Sequence, residues 1–264
     1  MRTLLIVGGG LFGSQAAAYA RARGMEAVVF DPGLPYAASP AAAGLFKEAW
    51  AGKKLKPFYR DALTVLDQLY GIRHVELAHA DGLPESFLWV PPTAILEPAP
   101  VRQTVTAVGD GWLETCEGRR EGYIYIAAGV WCGQLVPGLN LHGRAGTSLV
   151  FAGERPGQIR AISHGRQAIA FVRDPGCTYF SDGTAEREYE ETHEKQTLAR
   201  AAELGLTDVP TRRMHGIRPY TPGGPLFWKL GKRTWLATGG RKMGTLMGAA
   251  FAKRLVEEMI DFEP

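Results

Sequence analysis

The opening thirty residues constrain this chain more than any other part of it. Thr3-Leu4-Leu5-Ile6-Val7 is an unbroken apolar run with β-branched members, the pattern of a strand buried on both faces of a parallel sheet. Gly8-Gly9-Gly10-Leu11-Phe12-Gly13 follows and satisfies G-x-G-x-x-G at Gly8, Gly10 and Gly13. An alanine-rich stretch over residues 14–23 predicts a helix stopped by Gly24, and Ala27-Val28-Val29-Phe30 predicts a second strand ending at Asp31. Each glycine has its own task. Gly8 permits the tight turn out of the strand, Gly10 admits a pyrophosphate close to the backbone, and Gly13 lets the helix pack tightly on the sheet. The helix start offers N–H groups and a positive dipole end to phosphates. Asp31 is placed to accept hydrogen bonds from a ribose, and its charge disfavours the 2′-phosphate of NADP. Strand, glycine turn, helix, second strand and terminal acid together predict a dinucleotide site, without separating FAD from NAD.

Composition excludes several other classes. Thirty Lys+Arg against 27 Asp+Glu leave +3 over 264 residues, so no dedicated nucleic-acid footprint is implied, although local basic patches are compatible with it. Cys116, Cys132 and Cys177 are far apart and no Cys/His zinc spacing exists, so neither a metal site nor a disulfide framework is expected. No apolar run is long enough for a membrane helix, and strand residues from Thr3 leave no room for a signal peptide. The simplest expectation is a soluble cytoplasmic protein.

Four further segments carry information. Ser39-Pro40-Ala41-Ala42-Ala43-Gly44-Leu45-Phe46 is a run of small side chains that, by itself, reads as the start of an alanine-rich helix. Tyr123-Ile124-Tyr125-Ile126-Ala127-Ala128-Gly129-Val130-Trp131 reads as a buried strand ending in a small-residue turn. Gly216-Ile217-Arg218-Pro219-Tyr220-Thr221-Pro222-Gly223-Gly224-Pro225 precedes a strand at 234–238, a loop Gly239-Gly240-Arg241-Lys242-Met243-Gly244 and a helix at 245–260.

With GGGLFG, these segments (AAAGLF, IAAGVW, GIRPYTPGGP and ATGGRKMG) resemble, in order, the FAD-dependent D-amino-acid oxidase family, and glycine oxidase most closely. The resemblance implies an α/β protein with a Rossmann-like FAD-binding domain and a smaller antiparallel-sheet substrate domain roofing the flavin. It implies FAD rather than NAD, held by Gly8, Gly10, Leu11, Phe12, Gly13 and Asp31. Ala42, Ala43, Gly44, Leu45, Val105, Ala128, Gly129 and Trp131 are expected along it. So are Arg218, Gly239, Gly240, Lys242, Met243, Gly244 and Thr245. The FAD-binding part is expected at 1–44, 101–144 and 218–264, and the substrate part at 45–100 and 145–217. The chain is short for this family, with the missing material expected between Phe46 and Val101, where a helix before a strand at 101–108 has no room. The ATGG-type loop has Gly240 where an aromatic or histidine is frequent, and the expected roof strand, 167–173, has no tyrosine.

The chemistry implied is hydride transfer from an amine to flavin N5, with O2 reoxidising the flavin and releasing peroxide. Such a reaction needs positioning more than acid–base groups. Arg218 matches the family's carboxylate-binding arginine, and a guanidinium suits that task through paired charge-assisted hydrogen bonds. Lys242 and His215 are further candidates at the substrate, and His164 is a candidate near the roof. The leading expectation is oxidative deamination or C–N cleavage of an amino acid or N-substituted glycine. A second is the same chemistry on an aminoacyl-modified thymine in phage DNA, with Lys53, Lys54, Lys56, Arg60, Arg212 and Arg213 as candidate phosphate contacts. A third is a non-catalytic flavoprotein. The C-terminal motifs argue against an NAD-dependent dehydrogenase.

Overall fold

The computed structural model describes residues 3–163, 166–183 and 191–261. His164, residues 184–190, and the side chains of Lys53 and Lys54 lie outside the described residues. Among these residues the chain begins β1 (Thr3–Val7), α1 (Leu11–Ala22), β2 (Glu26–Phe30), β3 (Leu45–Phe46), α2 (Glu48–Tyr70), β4 (Arg73–Ala78) and β5 (Pro84–Trp89). It continues with α3 (Pro92–Ile95), β6 (Val105–Gly109), β7 (Trp112–Thr115), β8 (Gly118–Glu121), β9 (Tyr123–Ile126), a 3-10 turn at Gly129–Trp131, and α4 (Cys132–Leu135). The last part holds β10 (His142–Ala152), β11 (Gln158–Ser163), β12 (Arg166–Asp174), β13 (Cys177–Ser181) and α5 (Glu191–Ala202). It ends with β14 (Arg212–Tyr220), β15 (Leu226–Lys229), β16 (Thr234–Thr238) and α6 (Gly244–Asp261).

A five-stranded sheet runs β15-β16-β9-β1-β2. Its three parallel pairings explain the apolar runs: β1 lies parallel to both β2 and β9, and β9 parallel to β16, so these strands are covered on both faces. On one face Leu4, Ile6, Val29, Tyr125 and Trp235 pack against α1, α2 and α6. On the other Leu5, Val7, Phe30, Ile124 and Leu236 pack against Leu113 of β7, Val105 of β6 and Cys132 of α4. The β6-β7-β8 ribbon is the cover of that second face.

An eight-stranded sheet, β14-β10-β13-β12-β11-β4-β5-β3, forms the second layer. β10 to β14 pair antiparallel among themselves. β14 stays in this sheet to Tyr220, and the segment 45–100 is shared, since β3, β4 and β5 join the sheet while α2 buries Ala62, Val65 and Leu66 among the helices of the first layer.

Some local expectations shift. The first helix starts at Leu11, three residues earlier than expected, because Ser39 Oγ accepts the Leu11 N–H at 2.9 Å and caps the helix from a distant loop. The strand expected at 101–108 is Val105–Gly109; the Gln103 N–H folds back on the Val101 carbonyl at 2.8 Å, leaving Val101 only a bridge to Phe30. The single turn α3 stands where no helix was expected to fit, and 39–44 is loop rather than helix.

Candidate cofactor and substrate cavity

One cavity of about 780 Å3 lies between the two layers, large for a small-molecule site. At one end stands the glycine turn. Gly8 has φ +105°, and a Cβ there would sit 2.6 Å from the Ala127 carbonyl oxygen. Asp31 Oδ2 accepts the Gly9 N–H at 2.6 Å and Oδ1 accepts Gly33 N–H at 2.7 Å, so the carboxylate is fixed at the end of β2 beside the turn. Gly8, Gly10, Leu11, Phe12 and Asp31 all line the cavity. Gly13 does not: it is the packing glycine, whose added Cβ would overlap the Gly8 carbonyl oxygen.

The small-residue loop forms the floor through Ala41, Ala42, Ala43, Gly44 and Leu45. Its shape comes from the eight-stranded sheet, which grips its carbonyls. Buried Arg173 donates to the Pro40 and Ala42 oxygens, both at 3.0 Å. Tyr179 Oη donates to the Ala41 oxygen at 2.7 Å with Ser148 beside it, and Trp89 Nε1 donates to the Ala43 oxygen at 3.1 Å. Gly44, at φ +78°, passes so close under Val90 that a Cβ would overlap the Val90 carbonyl. These clamp residues were not legible in the sequence; Arg173 looked like the end of an ordinary strand.

Val105, Ala128, Gly129 and Trp131 line the side of the cavity. Gly129, at φ +60°, is held by Thr238 Oγ1 donating to its carbonyl at 3.0 Å. Next to it, burial pushes the Cys132 thiol up to about 12, against smaller opposing hydrogen bonds led by Thr238. Cys116 is exposed. A disulfide reagent at pH 8 is therefore expected to modify Cys116 in the native protein within minutes and Cys132 only after denaturation. Rapid native labelling of Cys132, read by peptide mass, would show that this wall opens.

At the other end, Arg218 and Tyr220 of β14 and Gly240, Arg241, Lys242, Met243, Gly244 and Thr245 of the β16–α6 loop line the cavity. Gly239 lies behind this wall, at φ +75°, packed against Thr221 and Gly224. Gly240 is buried, with Phe12 where a side chain would go, which explains the small residue in place of an aromatic. Lys242 is exposed and its Nζ approaches Gly183. His215 is not in the wall. Its Nδ1 lies 3.0 Å from Thr147 Oγ1 and its Nε2 3.9 Å from Glu194. The tyrosine missing from β12 is supplied next door: Tyr179 of β13 lines the cavity. Of the basic residues considered for phosphate contact, Arg212 pairs with Asp174 at 3.5 Å, Arg213 with Glu194 at 2.6 Å and Lys56 with Glu48 at 3.9 Å.

The residues fit a dinucleotide. The turn offers close backbone approach, α1 aims its N-terminus at the cavity, and a fixed carboxylate stands at the ribose position. The fold is that of the D-amino-acid oxidase type, in its glycine-oxidase-like form. Among solved structures it is similar to iminodiacetate oxidase from Chelativorans sp. BNC1, at TM-score 0.74 and 16% identity over 99% of this chain and 96% of that one. It is also similar to glycine oxidase from Bacillus cereus, at TM-score 0.72 and 14% identity over 100% and 98%. An FAD-dependent oxidoreductase from Pseudomonas aeruginosa follows at 0.70 and 14% over 100% and 92%. No protein-family model and no curated protein matches the chain. Among the described residues no helix is long and apolar enough to cross a membrane.

Proposed function

We propose that the protein is an FAD-dependent oxidoreductase that oxidises the C–N bond of a small amine or amino acid. The observation that carries this reading is a single cavity lined both by the glycine turn with Asp31 and by Arg218. FAD, when bound, accepts hydride from the carbon beside the amine, with O2 as terminal acceptor. Gly8, Gly10 and the N-terminus of α1 would hold the pyrophosphate, and Asp31 the ribose. The clamped floor at 41–45 would present small side chains to the cofactor. Arg218 grips the substrate carboxylate through two parallel hydrogen bonds and so fixes the amine end. Ile169, Tyr179 and Tyr220 cover the same end and exclude water from it.

The test begins with the flavin spectrum of the purified protein, then peroxide release with glycine, sarcosine and iminodiacetate. Arg218→Ala is expected to raise KM for a carboxylate-bearing amine by roughly 10- to 100-fold, the worth of a hydrogen-bonded ion contact, while FAD stays bound. Unchanged kinetics would take Arg218 out of the site. A second reading, an aminoacyl group carried on a modified thymine of DNA, draws on the exposed cations Arg241 and Lys242 at the same end of the cavity. Turnover of an aminoacylated oligonucleotide without turnover of free amines would select it.

A further inference from the structure

Arg144 of β10 stands directly opposite Arg218 in the antiparallel register of β10 and β14. Directly opposed residues share a face with their Cβ atoms a few ångström apart, and like charges in that arrangement destabilise a sheet. Here the arrangement is supported from further along the strand. The Tyr220 ring holds the Arg144 guanidinium at 5.3 Å and the Arg241 guanidinium at 5.2 Å. Arg241 is fixed in turn: it has φ +50°, an uncommon backbone for a side chain of its size, and donates from Nη2 to the Thr221 carbonyl at 2.7 Å. Arg218 and Arg241 line the cavity, and Arg144 adjoins both through the strand register and the Tyr220 ring. Two guanidiniums, Arg144 and Arg241, thus share one aromatic face beside the strand position of Arg218.

We infer that this end is built for a substrate with two anionic groups, one on Arg218 inside the cavity and the other on Arg144 and Arg241 at its edge. Arg144 is then a specificity-determining residue. The second group is a carboxylate or a phosphate, since either accepts the paired hydrogen bonds of a guanidinium. The inference deepens the amine-oxidase reading and rests on it only for the role of Arg218.

The experiment uses the full chain loaded with FAD and reads binding by calorimetry, not turnover. Acetate, malonate, succinate and phosphonoacetate are titrated into the unaltered protein and into Arg144→Ala. At least one dianion is expected to bind tenfold or more tightly than acetate, and Arg144→Ala is expected to lower that ratio at least fivefold. General damage to the site weakens every ligand together and leaves the ratio in place. Arg144→Lys, which keeps charge but not the fork, is expected to retain part of the preference and serves if the alanine variant does not fold. Preference for a dicarboxylate or for the phosphonate tells the two chemistries apart. Affinities all within threefold of acetate, or a preference that survives loss of Arg144, would overturn the inference. Failure of every amine to reduce the flavin would instead end the amine-oxidase reading and leave these ratios standing.

Discussion

Gly13→Ala is expected to give a protein that no longer retains a dinucleotide. A Cβ at this position overlaps the carbonyl oxygen of Gly8 and comes within 3.0 Å of Ile6 Cγ2. The obstacle is backbone, and it cannot swing aside, because Gly8 N–H is bonded to the Phe30 carbonyl at 2.8 Å inside the sheet. So α1 must move outward. Overpacking of this kind costs roughly 1–3 kcal/mol, and the same movement withdraws the helix N-terminus from the phosphate position. FAD affinity is expected to fall by two orders of magnitude or more, leaving purified protein colourless and its melting temperature lower. Gly133→Ala is the control, since a Cβ there meets nothing within 4 Å. Wild-type FAD titration in Gly13→Ala would show that the turn is not the phosphate cradle.

Arg173→Met is expected to be the most destabilising change in the second layer. Arg173 is 4% exposed, and its guanidinium serves two loop carbonyls and the carboxylate of Asp174. Methionine fills much of the volume but leaves the Pro40 and Ala42 oxygens unsatisfied, at a cost of about 1–3 kcal/mol for each. Asp174 is partly exposed and keeps Arg212 at 3.5 Å, so its charge adds little. A total near 3 kcal/mol corresponds to a fall of about 6–12 °C in melting temperature for a chain of this size. Because those two carbonyls shape the cavity floor, FAD affinity should fall as well. A melting curve that superimposes on the wild-type one would show that the clamp contributes nothing.

The dinucleotide end was legible because its constraints are local. Gly8 turns out of β1 at φ +105° and Gly13 meets the Gly8 carbonyl one turn away, and glycine fits both positions. The floor was not legible. Its clamp joins Arg173 and Tyr179 to Ala42 and Ala41 across more than a hundred residues, and the linear pattern of β12 and β13 signals only strands. The same limit misplaces the roof tyrosine: inspection of 167–173 finds none, whereas the adjacent strand brings Tyr179 to the cavity. His215 shows the reverse case. It neighbours Arg218 in sequence, yet its ring is turned toward Thr147 and Glu194. Arg144 carried no motif at all and acquires its place only from strand register.

The strand bearing Arg218 is also joined to the loop leading to the cavity floor. Ile217 donates its N–H to the Tyr36 carbonyl at 2.8 Å, and Ala37 bridges Ile217 in parallel. Roof and floor are therefore stitched together by main chain beside the anchor. A dinucleotide lying between them is therefore expected to dissociate faster in any variant that loosens this seam.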